Sequence, residues 1–196
     1  MADRKAGVER STKETQISVL LNLDGTGETN INTGVGFLDH MLTALGKHSL
    51  IDLAVAAAGD LHIDQHHTVE DVGIVIGQAL DNALGDKVGL VRYGSAIVPM
   101  DEALVLAAID FSGRGMLCYD VSIAQEKIGA FDTILIPEFF DGLTRNSGMT
   151  LHIKMLAGSD PHHIAEAIFK AFAKALDAAT RVSDRIKGVP STKGVL

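Results

Sequence analysis

From Thr15 to Leu23 apolar and polar positions alternate with the two-residue period of a half-buried strand. The run ends in Asp24-Gly25-Thr26-Gly27, which predicts a hairpin turn into a second strand around residues 28–33. The same design returns at Ala103–Phe111, followed by Ser112-Gly113-Arg114-Gly115 and a second strand around 116–121. Helical spacing follows in both places: one helix runs from Phe37 to about Gly46, the other from about Thr133 to Asn146. Strands over 50–57 and 149–156 come next. Two long amphipathic helices close the pattern. His66 to Leu84 carries Val69, Val72, Ile76, Ala79 and Leu80 at helical period; Pro161 to Ala179 carries Ile164, Ala165, Ile168, Phe172 and Leu176. Asp64, and Ser159 or Asp160, are the expected N-caps.

The order β-β-α-β-α therefore occurs twice, with room for one further strand in each copy. The expected fold class is α+β: duplicated half-domains in one compact domain, with four helices packed between two mixed β-sheets. Residues 1–90 form the first half-repeat, 91–181 the second, and 182–196 a Gly/Lys/Ser-rich tail expected to close on a ligand. At 196 residues and 46% hydrophobic content the chain can bury a shared core.

Composition narrows the partners. A net charge of −8 argues against nucleic acid, and the absence of tryptophan weakens base stacking as a mode of binding. No stretch approaches the roughly 18 apolar residues of a membrane span, and the polar N-terminus lacks a signal-peptide core. One cysteine, Cys118, precludes an intrachain disulfide. The expectation is a cytoplasmic protein without a membrane or nucleic-acid partner.

The chemistry is carried by His66-His67-Thr68-Val69-Glu70 and, 96 residues on, His162-His163-Ile164-Ala165-Glu166. Each puts two imidazoles and a carboxylate on one helical turn, the donor set of first-row transition metals. The HxxE spacing of His67 with Glu70 and His163 with Glu166 predicts two half-sites. A protonated His at a helix N-terminus opposes the helix dipole, so four of them as mere decoration would be an odd accident. Superimposing the first helix of each half lays His40 on Glu138, and these are the expected remaining ligands. His152 competes for that role, as ligand, neighbour of a ligand or substrate contact; His48 and His62 are read as outlying. Arg92 and Arg114, beside glycines, suit a bidentate oxyanion, and Ser191 and Lys193 in the tail offer a hydroxyl and an ammonium to a phosphate. Glu14 and Asp101-Glu102 precede equivalent strands and are acid–base candidates. Metal identity stays open between Mn, Zn, Fe and Co on this donor set.

Together the motifs Gly36–Met41, Asp64–Asp71, Gly113-Arg114, Gly148–His152, His162–Ala167 and Ser191–Gly194 resemble the imidazoleglycerol-phosphate dehydratase family, from about Arg10 to Gly194. The resemblance implies two Mn²⁺ per active site. Their ligands would be His40, His66, His67, Glu70, Glu138, His162, His163 and Glu166, shared between subunits of a homo-oligomer of 24 chains. It implies substrate binding by Glu14, His40, Arg92, Arg114, Lys170, Ser191 and Lys193, and catalytic roles for Glu14, His40, His67 and Glu166. The implied reaction is dehydration of D-erythro-imidazoleglycerol phosphate to imidazole acetol phosphate in histidine biosynthesis, by way of a metal-held imidazolate and a diazafulvene. Two other readings stay open on the residues alone: a metal-dependent phosphohydrolase, and a metal-storage shell.

Overall fold

The computed structural model describes residues 4–196. Its first half comprises β1 (Lys5–Ser11), β2 (Thr15–Asn22), β3 (Thr29–Asn32), α1 (Gly36–Ser49), β4 (Asp52–Gly59) and α2 (His66–Leu84). The second comprises β5 (Tyr93–Met100), β6 (Ala103–Asp110), β7 (Met116–Asp120), the short pair β8 (Lys127–Ile128) and β9 (Phe131–Asp132), α3 (Leu135–Ser147), β10 (Thr150–Ala157) and α4 (Pro161–Thr180). Two mixed four-stranded sheets result, ordered β1-β2-β4-β3 and β5-β6-β10-β7. In each, three strands are antiparallel and the last joins in parallel.

The turns expected after β2 and β6 are not hairpins. β4 lies between β2 and β3, and β10 lies between β6 and β7. In the first half the reason is a long-range contact. The Asp52 carboxylate, at the start of β4, accepts hydrogen bonds from the amides of Thr26 (2.8 Å) and Glu28 (3.0 Å) and from Asn22 Nδ2 (3.0 Å). Those backbone donors hold its pKa below the usual carboxylate value. The 24–28 turn thus wraps around the end of β4 and delivers the chain to its far side. The true hairpins are β1–β2 and β5–β6, the latter turning at Asp101 with φ 48°.

Inward-facing Thr15, Ile17, Val19 and Leu21 of β2, and Ala103, Val105, Ala107 and Ile109 of β6, are buried as their alternation requires. Helices α1 and α2 lie on the first sheet and α3 and α4 on the second. The two helical layers meet crosswise, α1 on α4 and α2 on α3. Within the second layer, Phe139 and Phe140 of α3 pack against Phe169 and Phe172 of α4, ring centroids 5.0–5.4 Å apart. A Cβ at Gly73 of α2 would overlap the Phe139 carbonyl, so close approach of α2 to α3 needs a glycine there. Buried Asp71 of α2 takes hydrogen bonds from Arg10 of β1 (2.9 Å) and Thr15 of β2 (2.5 Å), anchoring the start of that helix. Among the described residues no helix is long and apolar enough to cross a membrane.

Candidate active site

An aspartate holds the start of both motif helices. Asp160, the N-cap of α4, accepts from the amides of His162 (2.8 Å) and His163 (3.2 Å), with Pro161 in the first turn. On α2 the cap residue is Gln65, yet Asp64 still accepts from the His66 amide at 2.8 Å. These contacts fix the first turn, where all four motif histidines sit.

The helix pairing then brings candidate ligands together across the two halves. On the α1–α4 pair, His40 Nε2 lies 2.7 Å and His162 Nε2 3.2 Å from Glu166 Oε1. The donor atoms of these three residues lie within 4.8 Å of one another, a spacing that suits a metal ion. The His162 ring stands edge-on to Phe37, centroids 5.4 Å apart, which fixes its plane. Glu166 is 7% exposed. Burial works to raise its pKa. Hydrogen bonds from Lys170 (2.5 Å), His40 and His162 overcome that and hold it at about 2. The carboxylate is therefore anionic at neutral pH, as a hard divalent cation requires.

On each motif helix the first histidine and the glutamate are the pair that meets. His162 with Glu166, and His66 with Glu70 at 3.6 Å, are i,i+4 pairs. The second histidine of each motif turns aside to a different carboxylate. His67 Nδ1 lies 3.0 Å from Asp60, with Glu14 at 3.8 Å; His163 Nδ1 lies 2.7 Å from Glu102. Each of these hydrogen bonds raises the imidazole pKa above its ordinary value. Glu138 is half-buried on α3, one turn before Gly142, which backs onto the Glu70 carbonyl (2.9 Å for a Cβ at Gly142). That places it on the helix paired with the Glu70 helix, as His40 is on the helix paired with the Glu166 helix. His152 is exposed on β10, outside the three-ligand group.

The anion candidates form a separate pocket of about 560 Å³, lined by Arg92, Ser112, Arg114, Ser191, Thr192 and Lys193 among others. Arg92 is already engaged. Its Nε donates to Asp110 Oδ1 at 2.7 Å and its Nη1 to the Pro190 carbonyl at 2.7 Å, which ties the tail to β6. The Asp110 hydrogen bond pushes its pKa further up, so its charge is permanent. Arg114 and Lys193 keep their charged ends free of ion pairs among the described residues. Lys170 is not in this pocket; it sits on Glu166.

A family model for imidazoleglycerol-phosphate dehydratase matches residues 33–176. An imidazoleglycerol-phosphate dehydratase of Acetivibrio thermocellus is 59% identical over 194 residues, covering 99% of this chain and 100% of that one. The chain belongs to the imidazoleglycerol-phosphate dehydratase family. The Acidiphilium cryptum dehydratase is 58% identical over 194 residues, covering 98% of this chain and 99% of its own. The fold agrees: the Staphylococcus aureus dehydratase crystal structure superimposes with a TM-score of 0.83 at 42% identity, over 91% of this chain and 99% of that chain. The Pyrococcus furiosus structure, in complex with (S)-C348, gives 0.84 at 42% identity over 96% and 100%. As a dehydratase of this family the protein is an enzyme, a hydro-lyase, and the activity fits histidine biosynthesis.

Four residues around the candidate site carried no signal in the sequence: Asp60, Asp110, Phe37 as a ring support, and Lys170 as the partner of Glu166. Asp60 stands in a loop six residues before His66 with nothing periodic about it. Only the folded loop brings it to the ring.

Proposed function

We propose that the protein dehydrates D-erythro-imidazoleglycerol phosphate to imidazole acetol phosphate, with two Mn²⁺ per site held by the eight ligands named from the sequence. The observation that carries this is the His40/His162/Glu166 group: two Nε2 donors and an anionic carboxylate around one point. Its chemistry fits a divalent first-row ion. When bound, the metals supply Lewis-acid binding of the substrate's imidazole ring and lower its proton affinity.

The chain's own residues do the rest. The hydrogen to be lost is not next to a carbonyl, so the ring must drive the reaction by expelling the adjacent hydroxyl as water. The route we propose passes through a diazafulvene and then an enol, which becomes the ketone. Glu14, exposed and 3.8 Å from His67 Nδ1, carries protons between the leaving hydroxyl, the neighbouring C–H and solvent. Arg114, Ser191 and Lys193 hold the phosphate, with Arg92 ordering the tail through Asp110 and Pro190.

One distance supports shared sites. The Arg92 amide bonds the Ala179 carbonyl, at the C-terminal end of α4, whereas His162 is at its start. At 1.5 Å per residue the two lie roughly 25 Å apart, too far for one small phosphate ester to bridge. On this reading the pocket that serves that metal group belongs to another copy of the chain, in a homo-oligomer of 24 subunits. We read the half-repeats as 1–90 and 91–181, with the tail 182–196 closing on substrate, and the compartment as cytoplasmic on the strength of the unpaired Cys118.

The test is turnover of imidazoleglycerol phosphate by chelator-stripped protein with and without Mn²⁺, following ketone and free phosphate together. Manganese-dependent ketone without phosphate release is the expected result. Phosphate release would make it a phosphohydrolase.

A further inference from the structure

The two halves treat equivalent glutamates differently. Glu14 immediately precedes β2 and Glu102 immediately precedes β6, the matching strand. Each stands near the second histidine of its own half's motif. Glu102 is fully occupied. Its Oε1 accepts from the amides of Asp160 (2.7 Å) and Ser159 (3.1 Å), and its Oε2 receives His163 Nδ1 at 2.7 Å. Glu14 has no side-chain hydrogen bond among the described residues; its carboxylate stands 3.8 Å from His67 Nδ1. The difference traces to loop length. Six residues, 60–65, connect β4 to α2, and only three, 158–160, connect β10 to α4. The longer loop supplies Asp60, whose Oδ2 lies 3.0 Å from His67 Nδ1. The aspartate of the shorter loop, Asp160, is spent on the amides of His162 and His163, and Glu102 reaches over from the β5–β6 turn to serve both the loop amides and the ring.

An ionised carboxylate only accepts, so in both contacts Nδ1 carries the hydrogen, and in the neutral ring Nε2 keeps the lone pair; His163 Nε2 faces only the Asp101 carboxylate, 3.5 Å away. We infer that Glu102 is a positioning residue that fixes His163 to present Nε2 to a metal, as Asp60 does for His67, and that this duty removes it from proton transfer while leaving Glu14 to the substrate. The inference rests on the reading that His67 and His163 are metal ligands. An imidazole locked in ring plane and tautomer loses less freedom when it coordinates, which is why removing such partners weakens metal binding about 10–100-fold.

The test is Mn²⁺ titration of the metal-free full-length protein, reading free Mn²⁺ by electron paramagnetic resonance, with anomalous scattering from crystals at limiting Mn²⁺ to identify the depleted position. Glu102→Gln keeps an oxygen for the Ser159 and Asp160 amides but cannot also accept from Nδ1. It is expected to weaken one class of site about 10–100-fold and leave the other unchanged, with turnover recovering at high Mn²⁺. Asp60→Asn should weaken the other class. Should Glu102→Gln fail to fold, Glu102→Asp, which keeps the charge but is too short to span both partners, is read the same way. Binding within twofold of the parent at both classes overturns the inference. His163→Gln separates the two readings: if it too leaves both classes intact, the ligand assignment fails. If it abolishes one class while the Glu102 variants do nothing, only the positioning role fails.

Discussion

At the scale of single residues, the site separates charge that is spent from charge that is available. Glu166, Glu102 and Asp60 are committed to imidazoles, amides or Lys170, whereas Glu14 is exposed and unbonded. Replacing Glu14 with Gln should therefore lower kcat by about 10²–10⁴-fold, the usual worth of a positioned proton carrier. Mn²⁺ stoichiometry and affinity should stay unchanged in a parallel titration; equal loss of both would assign Glu14 to the metals instead. The sequence exposed those residues whose chemistry is periodic or repeated. His40, Glu138 and the two His-His-x-x-Glu runs stand out because a duplicated helix start is improbable without a purpose. Asp60 and Asp110 could not be found that way. They act on residues 7 and 18 positions away through loops and strand edges, and no spacing rule connects them to their partners.

The same contrast holds for the elements. The helices were legible because burial on one face imposes a 3.6-residue period: α2 spans His66–Leu84 as expected, and α4 ends one residue later than expected. β1 and β5 were not located. β1 reads Lys-Ala-Gly-Val-Glu-Arg-Ser, with two apolar side chains in an edge strand, and β5 carries Pro99. The mistaken β2–β3 hairpin shows the limit of turn chemistry. Asp24-Gly25-Thr26-Gly27 does turn, but Asp52, outside any local window, decides where the chain goes next. Two substitutions test how the helices are held. α1 ends on Leu50 with φ 62°, whereas α3 ends on Gly148 at φ 66°. Leu50→Gly should raise unfolding stability by up to about 1 kcal/mol, because a left-handed backbone strains a Cβ and Leu50 is 48% exposed. Gly73→Ala should act in the opposite direction by about 1–3 kcal/mol, since its methyl must push α2 off the Phe139 carbonyl. Denaturant midpoints at unchanged slope would report both.

For the whole molecule, the ligand clusters make stability a function of both pH and metal. Glu102, through the amide of Asp160, His163 and the amide of Ser159, has its pKa lowered to about 2 from an ordinary 4.5. Glu166 is held at about 2 against burial by Lys170, His40 and His162. Lowered carboxylates contribute stability that is complete above about pH 4.5 and is lost as pH falls towards 2. His163 and His67 are raised above 6.5, by Glu102 and Asp60 respectively. Raised imidazoles contribute stability that is complete below 6.5 and is lost as pH rises through their folded values. The metal-free protein should therefore be most stable in the window between about pH 4.5 and 6.5. Manganese reverses the upper edge, because coordination takes the neutral ring and releases its proton. The stabilisation from a fixed excess of Mn²⁺ should be small near pH 5 and grow through neutrality, reaching about 2.7 kcal/mol where the ion stands at a hundred times its dissociation constant. Thermal midpoints with and without Mn²⁺ across that range check it. An increment as large at about pH 5 as at about pH 8 would mean that the histidines do not bind the ion. An optimum that moves upward only when manganese is present would tie the duplicated helix starts, and the fold built around them, to the metal.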